Sequence, residues 1–235
     1  MSTFRKYASV EFDIPNPFNV PRIRANTKPI DPLSQEVVEK LLRACNAPEI
    51  RVRHGKEYKA VPCNAKRNKA MLMMLLDTGM RASELCDLTI GNVDFDLNRV
   101  YIASGKGDKA RYVYMGRMCQ NALWKYLLER FPNADPPPRE PLFAARNGFH
   151  HLTRNGLRLM IEHLGKQIGV DGIHPHRFRH TFAIQFLRNG GNIFELQQLL
   201  GHSSLDMVRN YVRVAQLDLE EAVKRASPAD NWRLR

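Results

Sequence analysis

The chain has 235 residues, 43% hydrophobic and 26% charged, with no repeat or low-complexity tract, so a globular protein with a sizeable core is expected. An excess of 36 lysines and arginines over 24 acids gives a net charge of +12 and a pI of about 9.8, which points to a polyanionic partner, nucleic acid ahead of an anionic membrane surface. No apolar run approaches the ~20 residues of a spanning helix, the start MSTFRKYASVEF holds no apolar signal-peptide core, and Cys45, Cys63, Cys86 and Cys119 form no CxxC pair, so no membrane attachment, disulfide framework or zinc ribbon is expected and a reducing cytoplasm fits best.

Residues 1–30 carry prolines at 15, 17, 21 and 29 without sustained periodicity and read as an extended arm or linker. Ser34 is expected to cap a helix running to about Cys45, with Val37, Val38, Leu41 and Leu42 as its apolar stripe. From Arg51 to Lys69, seven basic residues face one acid, Glu57; this stretch reads either as a solvated loop and helix start or as a surface that contacts phosphates. Asn64 begins the next helix, whose AMLMMLL run belongs in the core and which ends near Gly79, a residue suited to a left-handed cap. After a short helix in RASELCDL the period changes to two: Arg99–Ser104 and Ala110–Gly116 are strand-like and joined by a turn around GKGDK, a hairpin with a lysine at its tip.

Met118 to Phe131 returns to helix, ended by the proline-rich PNADPPPREP. Thr153 opens a further helix in which Leu157, Met160, Ile161, Leu164 and Ile168 keep helical spacing. Helices then follow over His176–Asn189, closed by Gly190 and Gly191, over Ile193–Leu200, closed by Gly201, over Leu205–Val214, and in an amphipathic stretch to Ala226. The expected fold class is mainly α with a small antiparallel β-sheet (α+β).

The stretch HPHRFRHTFA packs His174, His176 and His180 with Arg177 and Arg179 into seven residues. The i, i+4 spacing of His176 and His180 puts two imidazoles on one helical face, as in some zinc enzymes. No glutamate lies between them, however, and a dication would have to sit beside two guanidinium groups. An anion suits the cations better. His176 and Arg179, three apart, point from one face; His202 follows the helix-ending Gly201, Tyr211 comes nine residues later, Arg81 follows the TGM turn, and Lys106 sits on the hairpin. Two arginines, two histidines, a lysine and a tyrosine without a carboxylate dyad suit metal-free phosphoryl transfer, in which arginines fork onto nonbridging oxygens while lysine and histidine move protons. Each residue alone has an ordinary reading: Tyr211 as a core tyrosine, Arg81 as a cap or partner of Glu84, Lys106 as a turn lysine, His202 as a helix-end histidine. His180 is assigned to packing or a structural hydrogen bond and Glu84 to supporting its neighbours.

In this order and spacing the segments resemble the catalytic domain of the tyrosine recombinases, the phage-integrase family. LLDTGMRASELCDL is similar to that family's TG-x-R-x-x-E-L box, VYIASGKGDKARYVYMG to its GKG-x-K-x-R element, HPHRFRHTFA to its H-x-x-R-H signature, and LLGHSSLDMVRNY to its closing histidine and tyrosine segment. The resemblance covers about residues 31–226, with 1–30 as an arm and 227–235 as a tail. It implies that Tyr211 attacks a phosphodiester of double-stranded DNA to form a 3′-phosphotyrosyl link, which a 5′-hydroxyl later reverses without metal, ATP or other cofactor. It implies Arg81 and Arg179 as clamps on the nonbridging oxygens, Lys106 as general acid to the leaving 5′-oxygen, His176 as an aid to proton removal from Tyr211, and His202 as a hydrogen-bond donor to the phosphate. It further implies a homotetramer assembled on DNA from subunits that are monomeric when free. Most members carry a separate helical DNA-binding domain ahead of the catalytic one; a fragment and a shorter natural branch are both open, the latter binding DNA through the arm and residues 51–69. The tail resembles a terminal extension that packs on a neighbouring protomer, with Trp232 as an anchor. Two rival readings keep the fold: topoisomerase-like nicking and closing, and a DNA-binding accessory or excision-control protein that does no chemistry.

Overall fold

The computed structural model describes residues 31–53, 56–60, 62–103, 110–133, 135–145, 150–202, 205–215 and 227–231. The expected arm 1–30, the hairpin tip with Lys106, the stretch 216–226 and Trp232 lie outside the described residues.

Helix α1 (Gln35–Ala44) starts where Ser34 Oγ accepts the Val37 N–H, and it buries Val38 and Leu41. The basic stretch that follows, read either as a solvated loop or as a surface that contacts phosphates, forms a hairpin. Strands β1 (Glu49–Arg53) and β2 (Lys56–Ala60) pair antiparallel, from Glu49 opposite Ala60 to Arg53 opposite Lys56. In EIRVR the β-branched Ile50 and Val52 alternate with arginine, a period-two signal that the density of charge conceals.

Helix α2 (Ala65–Thr78) buries Ala70, Met71, Leu72, Met74 and Leu75. Fully burying each large side chain of this set contributes about 1.5–3 kcal/mol. The helix ends on Gly79 at φ 61°, whose N–H returns to the Leu75 carbonyl, as the TGM turn predicts. Helix α3 (Ala82–Asp87) and a single 3-10 turn lead to β3 (Val93–Asp94), a two-residue strand too short to show periodicity. With β4 (Arg99–Ile102) and β5 (Arg111–Tyr114) it forms an antiparallel sheet in the order β3-β4-β5. Val100, Ile102 and Val113 face the core, while Tyr101, Tyr112 and Tyr114 face outward.

Helix α4 (Arg117–Arg130) packs on α2. Thr153 caps α5 (Arg154–Gln167), accepting the Gly156 N–H. Then come α6 (Pro175–Arg188), α7 (Ile193–Leu200), α8 (Asp206–Ala215) and the short α9 (Pro228–Asn231) in the expected tail. The mainly helical class with a small antiparallel sheet is thus the observed one.

Two apolar clusters organise these elements. The larger joins α1 through α5 and the sheet and takes in Phe178 of α6; the smaller joins Ala183, Ile184 and Leu187 of α6 with Leu196 and Leu200 of α7 and Val208, Tyr211 and Ala215 of α8. Helix α6 therefore belongs to both, and Arg179 and His180 lie on it between Phe178 and Ala183. Among the described residues, no helix is long and apolar enough to cross a membrane.

Candidate functional site

The site assembles around Glu84, at the third position of α3. Its carboxylate accepts the Arg81 backbone N–H at 2.7 Å and Arg81 Nη1 at 3.0 Å. The same two oxygens accept Arg111 Nη1 and Nη2, each at 2.9 Å, while Arg111 Nε donates to the Leu199 carbonyl at 2.8 Å. Burial alone would raise the Glu84 pKa, but the hydrogen bonds and charges of Arg111 and Arg81 outweigh it and hold the group below its ordinary value. One ionised carboxylate thus fixes two guanidinium groups brought from the α2–α3 turn and from β5.

Arg179 supplies a third. Only 5% exposed, it reaches out of α6 to donate from Nη1 to the Gly79 carbonyl at 2.8 Å and from Nη2 to the Leu200 carbonyl at 2.7 Å. Its Nη2 also lies 2.9 Å from His202 Nε2. A guanidinium has donors only, so Nε2 accepts and the neutral imidazole carries its proton on Nδ1. Burial first, and then the charge of Arg81, brings the Arg179 pKa down to about 10, which leaves it charged at neutral pH. Helix ends position these partners. Gly79 and Gly201 both adopt left-handed φ, at 61° and 66°, turning the carbonyl of Gly79 toward Arg179 and starting the turn that carries His202.

Tyr211 is 5% exposed in the smaller core, and burial raises its pKa, with Arg179 pulling the other way. Its hydroxyl lies 3.0 Å from Nδ1 of His180, the rings being tilted at a centroid distance of 5.6 Å. The expectation that His176 serves this hydroxyl differs from the arrangement found. His176 is exposed in the first turn of α6, its ring edge-on to His174 at 6.2 Å. His180, one turn further along α6, faces the cluster that holds Tyr211. The structural hydrogen bond expected of His180 is therefore made to the candidate nucleophile itself.

Of the residues singled out in the sequence, Arg81, Arg179, His202 and Tyr211 converge here, His176 stands at the start of the same helix, and Lys106 lies outside the described residues. Arg111 is the residue that sequence reasoning passed over. Its signal was present as the final arginine of GKG-x-K-x-R, but its role depends on partners 27 and 88 residues away. Two guanidinium groups paired with one carboxylate and a third, that of Arg179, held beside them by backbone carbonyls leave a net positive, partly desolvated site, which is suited to a phosphate. Among the described residues, no three His, Cys, Asp or Glu side chains come together as metal ligands.

Comparison with known proteins shows the family. The model described as "Phage integrase family" matches residues 32–217. Tyrosine recombinase XerC of Leptospira interrogans is 36% identical over 163 residues, which are 69% of this chain and 51% of that protein. XerC of Oceanobacillus iheyensis is 34% identical over 170 residues, 71% of this chain and 55% of that one. The chain thus spans about half the length of these relatives. Among solved structures, XerA recombinase superposes with a TM-score of 0.64 at 28% identity, covering 94% of this chain and 72% of XerA. XerH recombinase bound to a palindromic difH substrate in a post-cleavage complex gives 0.64 at 26% identity, covering 86% and 54%. With a family match across nearly all of the described fold and the arginine, histidine and tyrosine site in place, the chain belongs to the phage integrase family.

Proposed function

We propose that this chain is the catalytic domain of a site-specific DNA recombinase that cuts and rejoins strands through Tyr211. The observation that carries the reading is the pairing of Arg81 and Arg111 with Glu84 beside the buried Arg179, with Tyr211 held against the same helix, α6, that provides Arg179. A phosphodiester between Arg81 and Arg179 would have the charge on its nonbridging oxygens stabilised as the phosphorane forms. The Tyr211 oxygen bonds phosphorus, the bond to the 5′-oxygen breaks, and Lys106 supplies the proton that the leaving oxygen needs. His202, held against Arg179 through Nε2, is assigned to the phosphate, and the exposed His176 to proton transfer beside it. Because the phosphotyrosyl link conserves the bond energy, the return attack by a 5′-hydroxyl needs no nucleotide cofactor.

The relatives named as recombinases support double-stranded DNA as the substrate, and exchange between two duplexes calls for four such sites, hence a homotetramer assembled on DNA from free monomers. We take residues 31–226 as the catalytic unit, 1–30 as an arm and 227–235 as a tail. The four free cysteines suit a cytoplasmic setting. The test is covalent trapping. Nicked duplexes carrying the cognate site, recovered by binding selection, are expected to yield a protein–DNA adduct that Tyr211→Phe abolishes. An adduct that persists in that variant overturns the assignment.

A further inference from the structure

The contact between His180 and Tyr211 has no place in the chemistry set out above. Helix α6 and its N-cap bring His174, His176 and His180 close together, yet the one whose nitrogen meets the Tyr211 hydroxyl is His180, at 3.0 Å from Nδ1. The Tyr211 side chain is buried in the apolar cluster that joins Ala183, Ile184 and Leu187 of the same helix with Leu196 and Leu200 of α7. With the ring packed, the hydroxyl is its one polar end and His180 is the partner the structure gives it. Arg179 precedes His180 in the chain, and its charge reaches Tyr211, so the residue that touches the hydroxyl and the residue proposed to hold the phosphate are adjacent on one helix.

We propose that His180 is the positioning residue for the nucleophile: its neutral imidazole accepts the Tyr211 O–H at Nδ1 and aims the phenol oxygen toward the phosphate held by Arg179. This inference rests on the reading of Tyr211 as nucleophile. The protonation states agree with it. Burial, reinforced by the charges of His176, His174 and Arg179, lowers the His180 pKa, so the ring is neutral and able to accept, while burial keeps the phenol protonated and able to donate. Nδ1 then carries a lone pair and the proton sits on Nε2.

Two measurements test the proposal. The first uses the DNA-free full chain, with ¹⁵N-labelled histidines observed by NMR and the His180 signals identified by their loss in His180→Asn. His180 is expected as the Nε2–H tautomer at neutral pH, and Tyr211→Phe is expected to move its Nδ1 resonance toward that of an unbonded imidazole nitrogen. A protonated Nδ1, or a resonance indifferent to Tyr211→Phe, overturns the proposal. The second uses the nicked duplex captured by the wild-type protein and compares single-turnover adduct formation by His180→Asn and His180→Phe. Asparagine places an acceptor oxygen close to the position of Nδ1, whereas phenylalanine fills the space without one. The phenylalanine variant is expected to be slower by roughly tenfold, the rate equivalent of one hydrogen bond, and the asparagine variant to recover most of the loss. Equal rates in the two variants, or a phenylalanine variant faster than wild type, overturn it. If the wild-type protein captures no DNA, the recombinase reading fails, and the NMR result still decides the hydrogen bond.

Discussion

Arg111 grips both carboxylate oxygens of Glu84, at 2.9 Å each, from a strand 27 residues further along the chain. Its Nε is spent on the Leu199 carbonyl, so a single side chain ties β5 to α3 and to the end of α7. Glu84 in turn holds Arg81 by side chain and backbone together. The pair is nearly closed to solvent, with side-chain exposures of 9% and 11%. Gly201 packs against it so closely that an added Cβ would come within 3.0 Å of Arg111 Nη1.

Removing one partner of this pair is expected to cost more than its net contribution, because the other charge stays buried and uncompensated. Arg111→Ala and Glu84→Ala should each lower the unfolding free energy by about 3–5 kcal/mol. Arg111→Lys should fall between, since an ammonium cannot fork onto two oxygens and also reach Leu199. Urea unfolding of the three variants measures the order; an Arg111→Lys protein as stable as wild type would show that the bidentate geometry contributes nothing.

Two carboxylates should give pH dependences of opposite sign. Glu84 has its pKa held below 4.5 in the folded protein, so its contribution is complete above 4.5 and is lost as pH falls through the lower folded value. Asp77, on α2, has its pKa raised above 3.8 by burial, only partly offset by the Gly116 N–H it accepts. Its ionisation therefore destabilises the fold as pH rises from 3.8 through the folded pKa, and the penalty stays constant above that. Asp77→Asn keeps an acceptor for Gly116 and loses the charge. It is expected to be more stable than wild type at pH 7, with the gain vanishing below pH 3.8, as stability curves at a series of pH values would report.

The parts of this fold that rest on local chemistry were legible in the sequence. Ser34 and Thr153 cap helices, Gly79 and Gly201 close them, and the alternation in RVYI and RYVY sets the hairpin. The first hairpin was hidden because the residues that alternate with Ile50 and Val52 are arginines in a stretch rich in basic residues, which composition assigns to a solvated loop. The link from Arg111 to Glu84 and that from His180 to Tyr211 were hidden for a different reason. They join segments 27 and 31 residues apart, and helical spacing within α6 suggested pairing His176 with His180, whereas packing between α6 and α8 turned His180 to the tyrosine.

Gly79 tests how far the backbone at the α2 terminus sets the position of Arg179. At φ 61° any other residue is strained, and a Cβ there would run into the Phe182 ring. The carbonyl of the same residue accepts from Arg179. Gly79→Ala is expected to destabilise the protein by more than about 1 kcal/mol and to slow adduct formation further than the stability loss accounts for, measured on the fraction that remains folded. Wild-type rates in that folded fraction would separate the turn from the site.

The segment entering α1 is tied to the site helix by interactions of unequal weight, among them a bond from Arg177 Nε to the Asp31 carbonyl at 3.2 Å. Arg177 pairs with Asp31 at 2.6 Å, but the Asp31 side chain is 73% exposed, and a pair so open to water contributes about 0–1 kcal/mol. Two residues on, the Leu33 N–H donates to Thr181 Oγ1 at 2.8 Å in a buried setting, and that hydroxyl donates in turn to the Arg177 carbonyl. Thr181→Val preserves the shape and strands the Leu33 N–H, so it should cost about 1–3 kcal/mol, whereas Thr181→Ser keeps the bond and should lose only the packing of a methyl group. Asp31→Ala should change little. Amide hydrogen exchange at Leu33 distinguishes the two ties directly: faster exchange in Thr181→Val but not in Asp31→Ala places the hold on α6 in the buried backbone bond, and the reverse pattern places it in the ion pair.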